Sequence, residues 1–390
     1  MKVYLLMLAL FFGVYAAAEA SSDSSSGVRI SLLTCGTGPE VWETFGHTAL
    51  RVVDSAAGTD NVYNYGTFAF SDDFAWQFAQ GKLDYSLSVY PYIYFLDEYA
   101  RDQRSVDEQV LLLNPHQIHQ MRTFLDLNAL PENRDYKYDF FYDNCATRIR
   151  DIFPRILDSS FSFGQTIAAH RDLSFRDIIN RYYYYKHWER LGINLLLGSP
   201  IDKIMTNEDI LFLPDYLSEG VEGAQVDGKP ISGPVHRLLE GRAPIPAGVN
   251  VPALVLWAFF ILLILGLLLP SARPFADGLI FLHLFITGLL GVIMVVMWLF
   301  TDHQACAYNT NLLWALPTHL VLAFRPKSGR SKYAILGLVF LGLAFVFHLL
   351  AVQRLPLVEI TPWLLSSVFI YGYLVRIDQG KSPKQSRSYK

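Results

Sequence analysis

The sequence predicts two parts of different class: an α+β extracytoplasmic domain over residues 21–248, then a bundle of about five transmembrane helices over residues 249–376. Three observations predict this. A secretory signal opens the chain, long uncharged apolar runs fill its last third, and the loops joining those runs are basic on one side only.

The signal covers residues 1–20. Lys2 is a short positive start, Val3 to Ala17 is almost wholly apolar, and Ala18-Glu19-Ala20 fits a small-x-small cleavage site. The apolar run is short for a span, and a Ser-rich stretch (Ser21 to Gly27) follows it, so cleavage is expected rather than a permanent anchor. No cysteine stands beside the site, so the chain itself is not expected to be a lipoprotein. The net charge is −4 and no basic stripe with interleaved aromatics occurs, which argues against a nucleic-acid partner.

In the membrane block, Val251 to Leu269 and Leu279 to Phe300 lack charged residues, and at about 1.5 Å per residue each crosses roughly 30 Å of hydrocarbon. Tyr333 to Val352 is a third such run. Ala305 to Phe324 and Val358 to Val375 begin polar, end apolar, and complete the expected set. With the N-terminal domain outside, Arg273, then Arg325, Lys327, Arg330 and Lys332, then Arg376, Lys381, Lys384, Arg387 and Lys390 all face the cytoplasm. The outer loops hold only Arg354. This is the positive-inside bias, and it makes residues 377–390 a cytoplasmic tail. The outer loop after the second run gathers Asp302, His303, Cys306, Asn309 and Asn311. These either cap and hydrate a helix start or line a site facing the outer compartment; one His with an Asp and a Cys is a weak metal signature, and no metal is expected.

In the extracytoplasmic domain, Val28 to Thr34, His47 to Val53 and Val106 to Leu113 read as strands. Leu83 to Tyr90 alternates, with Leu83, Tyr85, Leu87 and Val89 on one face. Asn114-Pro115 starts a helix that runs to about Leu127. A second helix opens at Asn144-Cys145 with a stripe of Ile149, Ile152, Phe153 and Ile156, which Pro154 kinks or ends. Tyr182 to Tyr185 and Trp188 suit either a membrane interface or ordinary packing, the latter preferred. Gly and Pro punctuate residues 220–250, which read as a linker.

Of the three cysteines, Cys35 and Cys145 are the plausible bridge; the competing reading keeps a free thiol for chemistry. Cys145 stands where a helix begins, and the unpaired N–H groups there favour a thiolate over the usual thiol of pKa about 8.5. An imidazole would supply the proton-transfer partner, and His47, behind Gly46 at the head of a strand, is the best-placed candidate. On composition alone a lone cysteine in a helix is more often inert core.

The surrounding motifs carry a resemblance. Phe45-Gly46-His47-Thr48-Ala49-Leu50-Arg51, Asn64-Tyr65-Gly66-Thr67-Phe68 and Asp143-Asn144-Cys145-Ala146-Thr147-Arg148-Ile149-Arg150-Asp151 resemble segments of the Lnb family, lipoprotein N-acyltransferases with an N-terminal periplasmic domain. Phe212 to Leu217 (Phe-Leu-Pro-Asp-Tyr-Leu) and the pattern from Asp302-His303 to Asn309 and Asn311 are also similar, so the resemblance covers nearly the whole mature chain. Its most specific part is Asn-Cys-x-Thr-Arg-x-Arg-Asp. It implies a permuted papain-like (NlpC-like) fold, the one also used by lecithin retinol acyltransferase, in which the His strand precedes the Cys helix. A polar residue on the strand after the His commonly orients the imidazole there; Asn64 and Tyr65 are the candidates.

The resemblance further implies a reaction without a cofactor, at the bacterial inner membrane with the C-terminus cytoplasmic. Cys145, with His47 as general base and acid, would take an acyl chain from a membrane phospholipid and pass it to the α-amine of a lipoprotein's lipidated N-terminal Cys. Arg51, Arg148 and Arg150 are candidates for the phosphate head group, with salt bridges as the competing role, and Tyr65 is a further candidate to contact substrate. Two other classes remain open: a papain-like cell-wall peptidase or amidase, and a non-catalytic envelope scaffold.

Overall fold

A computed structural model describes residues 27–68, 74–82, 84–157, 159–169, 172–326 and 329–380. The signal peptide, most of the Ser-rich stretch, Leu83, Lys327, and Lys381, Lys384, Arg387 and Lys390 of the tail lie outside the described residues. The chain divides into two compact units. One holds Met1–Ala69, Asp84–Ala169 and Asn207–Arg242; the other holds Phe70–Leu83, His170–Thr206 and Ala243–Lys390. The composition shift near residue 248 marks a single boundary, whereas the structure also assigns 70–83 and 170–206 to the unit with the long helices.

Strands of the first unit are β1 (Val28–Cys35), β2 (His47–Asp54), β3 (Thr59–Thr67), β4 (Asp84–Pro91), β5 (Val106–Leu111), β6 (Asp135–Lys137), β7 (Gln225–Val226), β8 (Lys229–Pro230) and β9 (Ser232–Leu239). Seven form one antiparallel sheet in the order β6-β4-β3-β2-β1-β5-β9. β1 lies inside the sheet, between β2 and β5, because its apolar run serves both faces: Ile30, Leu32, Leu33 and Cys35 are all buried. Helix Tyr92–Arg101 covers one face through Phe95 and Tyr99, which pack with Leu33, Cys35, Ala49, Val62 and Val106. Helix Pro115–Asn128 packs on β1 with Met121 and Leu125 fully buried, and starts as read from the sequence: Asn114 and Gln117 form a reciprocal capping box.

The second helix is shorter than its apolar stripe implies. Cys145–Arg150 ends, and a separate turn, Phe153–Ile156, follows with Pro154 in its first turn, where a missing N–H costs nothing. Residues 220–250 are not a continuous linker. Asp227 and Gly228, both at positive φ, turn the β7–β8 hairpin, and β9 then extends the sheet beside β5. Only 240–250 lacks regular structure.

Among the described residues of the second unit, four helices are long and apolar enough to cross a membrane: Val251–Leu268, Pro270–Leu299, Ser331–Leu349 and Leu357–Gln379. The remaining expected span, Ala305 to Phe324, is interrupted rather than continuous. It is not one helix but the turns Gln304–Cys306 and Thr310–Leu313, then a helix of six residues, Thr318–Ala323. This interrupted segment returns along the second span, with the Ala315 carbonyl and Pro317 against Gly291 and Leu320 against Gly288; a Cβ on either glycine would come within 2.1 Å of that backbone.

The interruption has a cause in the outer-loop polar residues. The Asn309 side-chain amide donates to the carbonyls of Leu195 and Leu196 (2.8 and 2.9 Å), and that of Asn311 to Asn194 and Leu195 (3.2 and 3.1 Å). These are the last carbonyls of helix His187–Leu196, which have no partner within their own helix. Asn309 and Asn311 are therefore caps. Their backbone cannot continue a straight helix while their side chains reach those carbonyls.

Candidate active site

His47 opens β2 directly opposite Cys35. Gly46 before it sits at φ +74°, and a Cβ there would stand 2.5 Å from the Cys35 carbonyl oxygen, so only glycine lets the chain enter the strand at this point. On β3, the neighbouring strand, Asn64 Oδ1 lies 2.6 Å from His47 Nε2, while Asn64 Nδ2 donates to the Tyr90 hydroxyl at 2.9 Å. With the amide nitrogen committed to Tyr90, the amide oxygen must accept, so Nε2 carries the proton. The Nδ1 lone pair is left for chemistry.

Cys145 is the first residue of its helix, which packs on β2 and β3. Asn144 builds that start. Its Oδ1 accepts from the N–H groups of Ala146 and Thr147 (2.8 and 2.9 Å), Thr147 Oγ1 accepts from the Asn144 N–H (2.8 Å), and Asn144 Nδ2 donates to Phe140 and Phe212 (2.7 and 2.9 Å). The last bond ties the Cys helix to the Phe212-to-Leu217 segment. All three cysteines are free thiols, so the Cys35–Cys145 bridge does not form, and of the three only Cys145 is not buried.

Burial pushes the Cys145 thiol up to about 11, against the pull of the backbone N–H groups of Thr48, Ala146 and Cys145 itself. Burial also lowers the His47 imidazole to about 4; its bond to Asn64 opposes this, and the charge of Arg104 adds to it. Both shifts favour a neutral thiol and a neutral imidazole at rest. The helix start alone favours a thiolate, but desolvation of the sulfur outweighs three N–H groups.

The three groups converge at Gly66, on the irregular end of β3. At φ +95° it leaves a gap: a Cβ there would lie 3.6 Å from His47 Cε1, 3.7 Å from Cys145 Cβ and 3.9 Å from the Tyr136 hydroxyl oxygen. That hydroxyl is buried and has no hydrogen-bond partner. Burial, then the charge of Cys145, raises the Tyr136 pKa well above the usual phenol range, so it remains a donor.

Of the remaining candidates, Tyr65 is buried and its hydroxyl lies 3.5 Å from Asn128 Oδ1, so Asn64 alone of the two meets the imidazole. Arg51 is paired with Asp60 (2.7 Å) and Glu108 (3.2 Å) and lies 3.5 Å over the Tyr92 ring, its charge already matched. Arg148 pairs with Asp143 through both carboxylate oxygens and stacks 4.0 Å over the Tyr136 ring, which fixes that ring beside the gap. Arg150 pairs with Asp151 at 2.7 Å. Tyr136 and Tyr90 escape a reading of the sequence. Gly66 lies inside the Asn-Tyr-Gly-Thr-Phe motif and was within reach, whereas Tyr136 sits on a strand of three residues that carries no periodicity.

The fold and site define a class: a membrane protein whose extracytoplasmic domain brings a cysteine thiol, an imidazole and an orienting amide to one point. Two family models match the chain, the Lnb N-terminal periplasmic domain over residues 15–183 and the Lnb transmembrane domain over residues 246–382. The chain belongs to the Lnb family, a family of lipoprotein-modifying membrane proteins. Comparison with curated proteins and with solved structures finds no match.

Proposed function

We propose that the protein is a thiol-dependent N-acyltransferase of the bacterial inner membrane, made with a cleaved signal peptide and ending in the cytoplasm. It moves an acyl chain from a phospholipid to the α-amine of a lipoprotein's lipidated N-terminal cysteine. The observation that carries the reading is the gap at Gly66, bounded by the thiol-bearing carbon of Cys145, the imidazole of His47 and the Tyr136 hydroxyl. A reacting carbonyl placed there meets nucleophile, base and donor together.

His47 Nδ1 takes the thiol proton as the Cys145 sulfur bonds to the ester carbonyl carbon. The oxyanion that forms accepts from the Tyr136 hydroxyl and from the Cys145 N–H in the first turn of its helix. Collapse breaks the ester C–O bond, and His47 returns its proton to the leaving lysophospholipid oxygen. The amine then attacks the thioester carbon, His47 takes the amine proton, the C–S bond breaks, and the thiol is re-formed with an amide as product. Both substrates are held by the bilayer that anchors the enzyme, which raises their effective concentration.

The test is purified protein in lipid nanodiscs with a diacylglyceryl peptide, followed by mass spectrometry. The expected result is an acyl adduct on Cys145, lysophospholipid release and an N-acylated peptide. Full transfer by Cys145→Ala or His47→Ala would overturn the reading, as would release of soluble peptides from cell wall with no lysophospholipid.

A further inference from the structure

We propose that the short helix Phe74–Gln80 is an interfacial element whose Trp76 and Phe78 side chains sit in the periplasm-facing leaflet of the bilayer. No step of the proposed reaction uses this segment. In the chain it connects β3 to β4, the strands that carry Asn64 and Tyr90.

Its height relative to the membrane follows from where it is fastened. The second spanning helix ends at Leu299, and Leu299 and Phe300 are 62 and 74% exposed, as side chains at the edge of hydrocarbon are. Immediately beyond, the Asp302 N–H donates to the Gln80 carbonyl at 2.9 Å, and His303 Nε2 lies 2.8 Å from the Phe78 carbonyl. The Phe78 and His303 rings meet edge-on at 6.2 Å. A Cβ on Gly81 would stand 3.0 Å from the His303 nitrogen, so the two backbones touch. The short helix is therefore held within one turn of the end of a span, at the depth where head groups begin.

At that depth Trp76 and Phe78 remain 66 and 53% exposed, and no Lys, Arg, Asp or Glu occurs between Phe74 and Gln80. Aromatic rings left outside any core are costly in water and favoured among head groups. Other exposed aromatics mark the same end of the bundle. Tyr308 (66% exposed) lies against Trp298. Trp188 (53%) sits on a helix whose first residue, His187, bonds the Ala247 carbonyl just before the first span. Together they form an aromatic belt, to which the Phe74–Gln80 helix contributes a pair held off the spans themselves. The occupant of this face is lipid.

The experiment uses the full chain in nanodiscs and compares it with Trp76→Phe, a change that keeps an aromatic ring. Lipids brominated near the head group should quench wild-type tryptophan emission more than that of the variant, and lipids brominated near the chain ends should show a smaller difference. Quenching that is equal in the two proteins would overturn the proposal. So would a Trp76 component quenched by aqueous iodide instead of brominated lipid, the result expected if the face is open to water. Protection from both quenchers would point to a second protein on this face and would equally overturn it. None of these readouts depends on acyl transfer, so the outcome is separate from that of the enzymatic reading.

Discussion

Asn64 Oδ1 stands 2.6 Å from Nε2 of His47, and this one bond sets which imidazole nitrogen is left for proton transfer. The amide is itself fixed by Tyr90, 2.9 Å from Nδ2. Asn64→Ala leaves a half-buried N–H without a partner and frees the ring to turn. The expected loss is about 1–3 kcal/mol of transition-state stabilisation, roughly 5- to 150-fold in kcat, with KM little changed. Tyr90→Phe should cost less and should add little on top of Asn64→Ala, because both act through one bond. Additive losses in the double variant would show that Tyr90 acts elsewhere.

The pH profile should separate a neutral resting pair from a charged one. Burial holds His47 at about 4, so the imidazole is free to accept a proton at every pH above that value. Falling pH should leave kcat/KM level until protonation near about 4 removes the base, and the thiol at about 11 sets the alkaline limit. An acid limb near 6.5, the ordinary imidazole value, would mean that water reaches the ring. The sign for stability agrees: the unfolded chain takes up this proton first, so stability present above 6.5 is lost as pH falls through about 4.

Tyr136→Phe isolates a single hydroxyl. The ring would keep its place under Arg148, and the oxygen removed has no partner to lose in the free protein. The thermal midpoint should therefore stay level or rise slightly. Loss of an oxyanion donor should lower kcat by roughly 10²–10³-fold with KM nearly unchanged. A variant of full activity would remove Tyr136 from the mechanism and leave the backbone N–H of Cys145 as the donor.

What could be read from the chain and what could not divides along physical lines. His47, Cys145 and Asn64 stand in local motifs, and hydropathy finds four of the spans, because both signals are short-range in sequence. Tyr136 reaches the site from a strand of three residues, and its role depends on the absence of a side chain at Gly66, seventy positions earlier. At Cys145 the helix start is visible in sequence, but the packing that desolvates the sulfur and raises its pKa is not. The interrupted segment from Ala305 to Phe324 looks apolar enough to be a straight span, yet its asparagines serve carbonyls more than a hundred residues away.

Asn311 offers the sharpest test of that long-range cap. It is fully buried, donates to the Asn194 and Leu195 carbonyls, and accepts from the Trp314 indole at 3.0 Å. Asn311→Ala removes all three bonds and leaves the buried Trp314 indole N–H without its acceptor, while the Leu195 carbonyl keeps Asn309 and the Asn194 carbonyl keeps Arg176. The penalty is about 1–3 kcal/mol for the N–H left bare, reduced where the structure relaxes to admit water. A lowered midpoint in a thermal melt in detergent is the expected result. Asn311→Asp keeps the acceptor for Trp314 but buries a carboxylate oxygen against the Asn194 and Leu195 carbonyls, so it should fall at least as far. If either variant melted with the wild type, the two asparagines would not be what ends the helix here, and Pro317 alone would have to explain the break.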